Sequence, residues 1–173
     1  LTSDQITALT TRQINTLSTK SLASLETADL AVLNTTQVKA LSSAQLGSLT
    51  TDQVVSLTTS QVSKLSTVQL AGLTSVQIKS IETEDLLTLS TAQLSKLTTA
   101  QLTGLSTTQI DVLTTTQLNG MSTQQLSSLS TLQIAALKTD HVSALKTTQL
   151  AALTTTQLAA MQTSDVAALA ATS

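Results

Sequence analysis

From Leu1 onward the chain repeats with a fixed eight-position period without one insertion or deletion, giving twenty-one full octads and a stub, Leu169 to Ser173. The first position is Leu throughout, except for Ile81, Met121 and Met161. The third is Thr or Ser in every octad, the fifth is mostly Gln, and the sixth is always Ile, Leu or Val. The fourth and seventh vary freely and the eighth is mostly small. Octad 13 is typical: Leu97-Thr98-Thr99-Ala100-Gln101-Leu102-Thr103-Gly104. A fixed short period over the whole length marks a stacked repeat architecture.

That period excludes both continuous elements. An α-helix turns about 100° per residue, so each octad is left rotated by roughly 80° and the Leu positions never form a stripe. In a continuous strand the first and sixth positions point to opposite faces. The chain must therefore turn within every octad.

Local chemistry says where. Thr or Ser at position two with Gln at position five has the capping-box spacing, in which the hydroxyl accepts from the backbone three positions on and the Gln reaches back to the cap N–H. Leu at position one and the aliphatic at six then sit at the two ends of a hydrophobic staple. Both devices fall in one frame in most octads, so each octad reads as about one and a half turns of helix followed by a kink. A helix under about 12 residues is marginal alone. A cap contributes about 0.5–2 kcal/mol and each buried aliphatic about 1.5–3, against roughly 1–2 kcal/mol of backbone entropy per ordered residue. One octad cannot fold, but a stack can. The expected fold is an all-α solenoid of very short capped helices, one per octad, over a single domain, residues 1–173.

A β-solenoid is the alternative. Thr, Val and Ile favour strands, and stacked Thr and Gln ladders suit cross-β packing. The constant Thr/Ser at position three also sits awkwardly at the first helical position, where Pro is favoured and none occurs. Against strands, tight corners call for Gly, Asn or Asp. The chain has only Gly47, Gly72, Gly104, Gly120 and Asn15, Asn34, Asn119 to offer, at scattered positions.

The exceptional octads are themselves spaced. Glu26 with Asp29, Glu82 with Asp85, and Lys138 with His141 replace the cap residue and the Gln together, at intervals of seven octads. Duplication of an ancestral segment explains this, as does coincidence. A sharper expectation is that seven octads fill a whole number of superhelical turns and bring these units onto one face. The paired replacement itself points to contact between positions two and five.

Composition leaves little room for chemistry. The chain is 40% hydrophobic yet has no Phe, Trp, Tyr, Pro or Cys, so its core must be Leu, Ile, Val and Ala. Eight Lys+Arg against ten Asp+Glu are spread thinly, without the basic clusters and stacking aromatics that nucleic acids require. Without Cys there is no disulfide framework or thiolate metal site. No stretch approaches the ~20 apolar residues of a membrane span. His141, beside Asp140, reads as a Gln substitute in one cap. The acidic clusters Glu26/Asp29 and Glu82/Glu84/Asp85 lack a calcium-loop pattern and read as solvated surface. A nucleophilic Ser needs a base that one His cannot supply along the array. Asn34-Thr35-Thr36 is a glycosylation sequon, but Asn34 holds the cap position, where Asn is preferred in any case. No catalytic, cofactor-binding or metal residue is assigned, and neither a cofactor nor a small-molecule substrate is expected.

Octads such as Leu97-Thr98-Thr99-Ala100-Gln101-Leu102 resemble the Thr/Gln-rich octapeptide arrays inside very large bacterial surface or secreted proteins, often labelled adhesin-like or haemagglutinin-like. The resemblance covers the whole chain. It implies a non-catalytic stalk, spacer or filament-forming segment at the bacterial surface or outside the cell. The start at Leu1 and the absence of a distinct capping unit at either end suit a piece of a longer array, with self-association end to end as the expected partnership. The competing class is a binding solenoid, through an ice-binding Thr face or a groove for peptides, although the usual hot-spot residues are missing.

Overall fold

The computed structural model describes residues 3–171, and within them every octad forms one short α-helix, twenty-one from Ser3–Thr7 to Thr163–Ala171, with no strand among the described residues. The chain is an all-α solenoid and the β alternative is set aside. Most of the helices span four to six residues and begin at the third position of the octad, directly after its cap. Positions one and six face inward: Leu97 is 3% exposed and Leu102 0%, and the same two ranks form one continuous core along the rod.

The corner between helices is made by two extended residues, positions one and two of the octad. Leu105 has φ −61°, ψ 140° and Ser106 φ −72°, ψ 161°. No described residue has a positive φ. Turning therefore requires no left-handed residue, which is why Gly, Asn and Asp are scarce in the chain. The corner backbone is satisfied locally: the position-one N–H donates to the position-six carbonyl, as from Leu105 to Leu102 at 3.1 Å, and the position-six N–H to the cap carbonyl, as from Leu102 to Thr98 at 3.0 Å.

Each helix packs on the helix three octads away, from the first to the last. Three octads thus make one three-sided coil, and the twenty-one helices make seven coils. With helices packing about 8–10 Å apart, seven coils span on the order of 60 Å.

This pitch overturns the one-face expectation for the exceptional octads. Seven octads are two and a third coils, so octads 4, 11 and 18, which begin at Leu25, Ile81 and Leu137, fall on three different sides. Their spacing is not a superhelical repeat.

Stacking also explains the two positions that local helix chemistry leaves open. The eighth residue of an octad lies over the third residue of the octad three earlier. A Cβ placed on Gly72 would come 2.5 Å from the Ser43 Cβ, one on Gly104 2.9 Å from the Ser75 Cβ, and one on Gly120 2.9 Å from the Thr91 Cβ. Small side chains at three and eight thus suit the packing between coils, although Val32, Lys64, Lys96 and Val112 also stand at position eight, and the glycines mark close approaches.

Candidate functional site

The feature that repeats with the most chemistry is the fifth position. Its Gln is buried in octad after octad: Gln53 and Gln61 are 2% exposed, Gln101 and Gln109 3%. Burying an amide without partners costs several kcal/mol, and this one has a partner for each of its polar atoms. In octad 13 the Gln101 Oε1 accepts from the Thr98 backbone N–H at 2.8 Å, while the Thr98 hydroxyl accepts from the Gln101 N–H at 3.2 Å. This complete reciprocal box recurs in fourteen helices, from Thr11–Thr16 to Thr155–Ala159. It is the contact that the spacing of positions two and five predicts.

The amide nitrogen does something the box does not require. Gln101 Nε2 donates to the Leu70 carbonyl at 2.8 Å and the Leu73 carbonyl at 2.6 Å, 31 and 28 residues back. These carbonyls end one helix and open the next corner in the coil beneath, where the last carbonyls of any helix lack intrahelical partners. The same register runs from Gln37, on Ile6 and Leu9, to Gln157, on Leu126 and Leu129. Each Gln therefore caps its own helix with its oxygen and the C-terminal end of a helix one coil below with its nitrogen. The result is a hydrogen-bonded ladder along the rod.

A carboxylate has no hydrogen to give. Glu would satisfy a capping box as well as Gln does, yet no octad carries Glu at position five. The predominance of the amide there over carboxylates, which occur only as Asp29, Asp85 and Asp165, is the signal in the sequence for the second bond.

The exceptions adapt to the same corner. Asp29 accepts from the Ser3 hydroxyl at 2.9 Å, and Asp165 from the Thr139 hydroxyl at 2.8 Å and the Gln162 N–H at 3.1 Å. In both, the position-three hydroxyl of the coil beneath supplies the proton. Where Asp165 cannot donate downward, the position-two side chain does, Gln162 Nε2 reaching the Ala135 carbonyl at 3.3 Å. Lys146 makes the same reach to the Asn119 carbonyl at 3.0 Å, and Lys138 pairs with Asp111 at 3.4 Å. A Lys cannot accept a hydrogen bond, so octads 18 and 19 keep only the half of the box made by position five, Gln149 taking the Lys146 N–H at 3.0 Å. Asn34 caps its helix, its Oδ1 accepting from the Gln37 N–H at 2.9 Å.

His141, 5% exposed, stands in the Gln rank and takes its capping role. Its Nδ1 accepts from the Lys138 N–H at 3.2 Å, and the Leu113 backbone of the coil beneath is close enough to the ring to favour its protonated form. Burial holds its pKa below the ordinary histidine value. Lys138 acts in the same direction, and the Leu113 carbonyl, Asp111 and Asp140 oppose it.

Of the acidic clusters read as solvated surface, Glu26, Glu82 and Glu84 are exposed, but Asp29 and Asp85 are buried in the Gln rank, and the clusters are not brought together. Glu84 accepts from the Thr83 hydroxyl at 3.1 Å, and among the described residues no three His, Cys, Asp or Glu are placed to hold a metal ion. A surface groove of about 540 Å³ runs past Thr107, Thr108, Asp111, Lys138 and Gln162, where Asp111 and Lys138 are paired with each other and Gln162 with the Ala135 carbonyl. No helix among the described residues is long and apolar enough to cross a membrane.

The ALTTAQ repeat family matches this chain over residues 22–59, 78–115 and 112–147, which together exceed half its length. The chain belongs to the ALTTAQ repeat family. No curated protein matches it. The six letters of the ALTTAQ description run from the last position of one octad to the fifth of the next, as in Ala152-Leu153-Thr154-Thr155-Thr156-Gln157. They span the small packing residue, the extended corner, the cap and the Gln rung, which is the full set of parts that joins coil to coil. The first two ALTTAQ matches are offset by seven octads and the third is not.

Proposed function

We propose that this ALTTAQ array is a structural spacer: a rod segment of a bacterial surface or secreted protein that holds other parts at a fixed distance and is extended by further stacking. The observation that carries this reading is the Gln ladder. It commits the most regularly recurring amide of the octad to coil-to-coil contact and leaves none of its groups for a ligand. The variable positions four and seven are the ones that face outward, as expected if the sides need only be wet.

The two end coils are complementary. Gln13 in the first coil accepts its cap N–H at 2.9 Å and is exposed on its donating side, and in the last coil the position-six residues Leu158 and Val166 are 40% and 52% exposed. Another coil of the same octads, from this chain or from a second copy, would meet both needs, and such head-to-tail contacts propagate as open filaments.

The binding alternative has less support. The regular Thr/Ser rank is position three, and it is overlaid by the eighth residue of the coil above, as Ser75 is by Gly104 and Thr91 by Gly120, so it serves coil contact and is not a free face for ice.

The test is replacement within the full-length parent protein. Seven coils of a uniform Leu-Thr-Thr-Ala-Gln-Leu-Ala-Ala octad keep the length and erase the side chemistry, and a spacer retains its function. Loss of function with an intact replacement rod would show that the sides bind something and would refute the reading.

A further inference from the structure

Among the rungs of this ladder, His141 is the one whose hydrogen-bonding pattern changes when it takes up a proton on an imidazole. We infer that octad 18 is a proton-sensitive joint: protonation of His141 opens the corner between residues 110–113 and residues 138–141, and loosens the rod there.

The argument is geometric. The Lys138 N–H occupies Nδ1, which must therefore carry a lone pair, and a neutral imidazole holds its one hydrogen on the other ring nitrogen. Together they specify the neutral Nε2–H tautomer. In the imidazolium both nitrogens are donors, so the Lys138 N–H would face N–H instead of a lone pair. The other half of the box is missing here, because the Lys138 side chain cannot accept from the His141 N–H, so no reciprocal bond holds this cap when the first is lost. A Gln in this place offers acceptor and donor at every pH, as Gln149 does one octad later.

The charges around the ring do not reverse this. On its own octad stand Lys138, which repels a second positive charge, and Asp140, which attracts it. From the coil beneath, Asp111 faces it but is already paired with Lys138 at 3.4 Å, and helix Thr115–Asn119 carries no charged residue. From the coil above, helix Thr163–Ala171 brings Asp165, which is held by the Thr139 hydroxyl and the Gln162 N–H. Burial opposes the charged form.

The sign follows from linkage. A His whose folded pKa lies below its unfolded value stabilises the folded joint fully above the unfolded pKa, about 6.5. That contribution is lost as pH falls below about 6.5 toward the folded pKa, at up to about tenfold in the opening equilibrium per pH unit.

The experiment is amide hydrogen exchange on the chain and on His141→Gln at pH 7.5 and 5.5, with ¹⁵N spectra of the imidazole. The expected result is the Nε2–H tautomer at pH 7.5, and several-fold faster opening at pH 5.5 for the Lys138 amide and its neighbours in octads 17–19. His141→Gln should abolish that acceleration while octads 6–10 behave alike in both proteins. An Nδ1–H tautomer, an imidazole that titrates at or above 6.5, or an acceleration that persists in His141→Gln would overturn the inference.

Discussion

Replacing Gln101 with Ala separates the two roles of the Gln rung, because Thr98→Ala removes the local cap alone. Gln101→Ala strips three groups of their partners: the Thr98 N–H, the Leu70 carbonyl and the Leu73 carbonyl. They are not equivalent. The Leu70 carbonyl still accepts from the Leu73 N–H at 3.1 Å, so its loss is about 0.5–1 kcal/mol, the worth of one ordinary hydrogen bond. The Thr98 N–H is near the surface and loses about the same. The Leu73 carbonyl at its buried corner has no other donor among the described residues, and an unsatisfied buried acceptor costs about 1–3 kcal/mol. The total is about 3 kcal/mol, against about 1 for a lost Thr cap. A repeat array does not unfold as one unit, so the assay is native-state hydrogen exchange resolved by octad. Gln101→Ala should speed opening about a hundredfold, at about 1.4 kcal/mol per factor of ten. The effect should reach residues 70–73 as well as octad 13. If Gln101→Ala matched Thr98→Ala in size, or stayed within octad 13, the ladder would contribute nothing and the reasoning would fail.

Three further outcomes follow from the same contacts. Gln101→Glu keeps an acceptor for the Thr98 N–H but turns a carboxylate oxygen toward the two carbonyls, which raises the new group's folded pKa above its unfolded value. That variant should be weak at pH 7 and regain stability as pH falls through the raised value, read by thermal denaturation from pH 7 to 5. Gly72→Ala gains about 1 kcal/mol of helix propensity at an αR residue of φ −80°. Its Cβ would nevertheless lie 2.5 Å from the Ser43 Cβ and 2.6 Å from the Ser43 carbonyl oxygen, so urea unfolding should show a net loss of about 1–3 kcal/mol from overpacking. Deleting octad 13 whole should leave a folded rod by circular dichroism, because each octad meets equivalent octads above and below, whereas deleting Thr103 alone should loosen octad 13 and its contacts with octads 10 and 16 while later octads, which keep their period, remain protected in hydrogen exchange.

The helix, its cap and its inward faces are legible in the sequence because they are local: Thr98 and Gln101 fall within one octad, as do Leu97 and Leu102. What is not legible lies one coil away. Nothing within an octad says that Gln101 meets Leu73, or that Thr91 must make room for Gly120. Those contacts depend on how many octads close a coil, which is set by corner angles and not by any single residue. The constant Thr/Ser at position three resembles an objection to helices for this reason, since its constraint comes from the eighth residue of another octad. The lack of Gly at corners bears on strands only if a corner needs a left-handed residue, whereas extended residues such as Leu105 and Ser106 turn the chain without one. His141 is recognisable from its place in the octad as a Gln substitute, but its nearness to Leu113 in the coil beneath requires the pitch.

The pitch itself is open to one direct measurement, since the chain has no cysteine to interfere. In the structure the Ser48 hydroxyl lies 3.4 Å from the Thr19 carbonyl, 29 residues back, with the two side chains in the position-eight and position-three ranks of adjacent coils. The pair Thr19→Cys/Ser48→Cys should form an intramolecular disulfide readily under mild oxidation, because the two ranks lie in contact and such a bond needs Cβ atoms only roughly 3.5–4.5 Å apart. The pair Thr19→Cys/Ser75→Cys, seven octads apart, should not. Cross-linking of the second pair in place of the first would contradict the three-octad coil and the Gln ladder that depends on it.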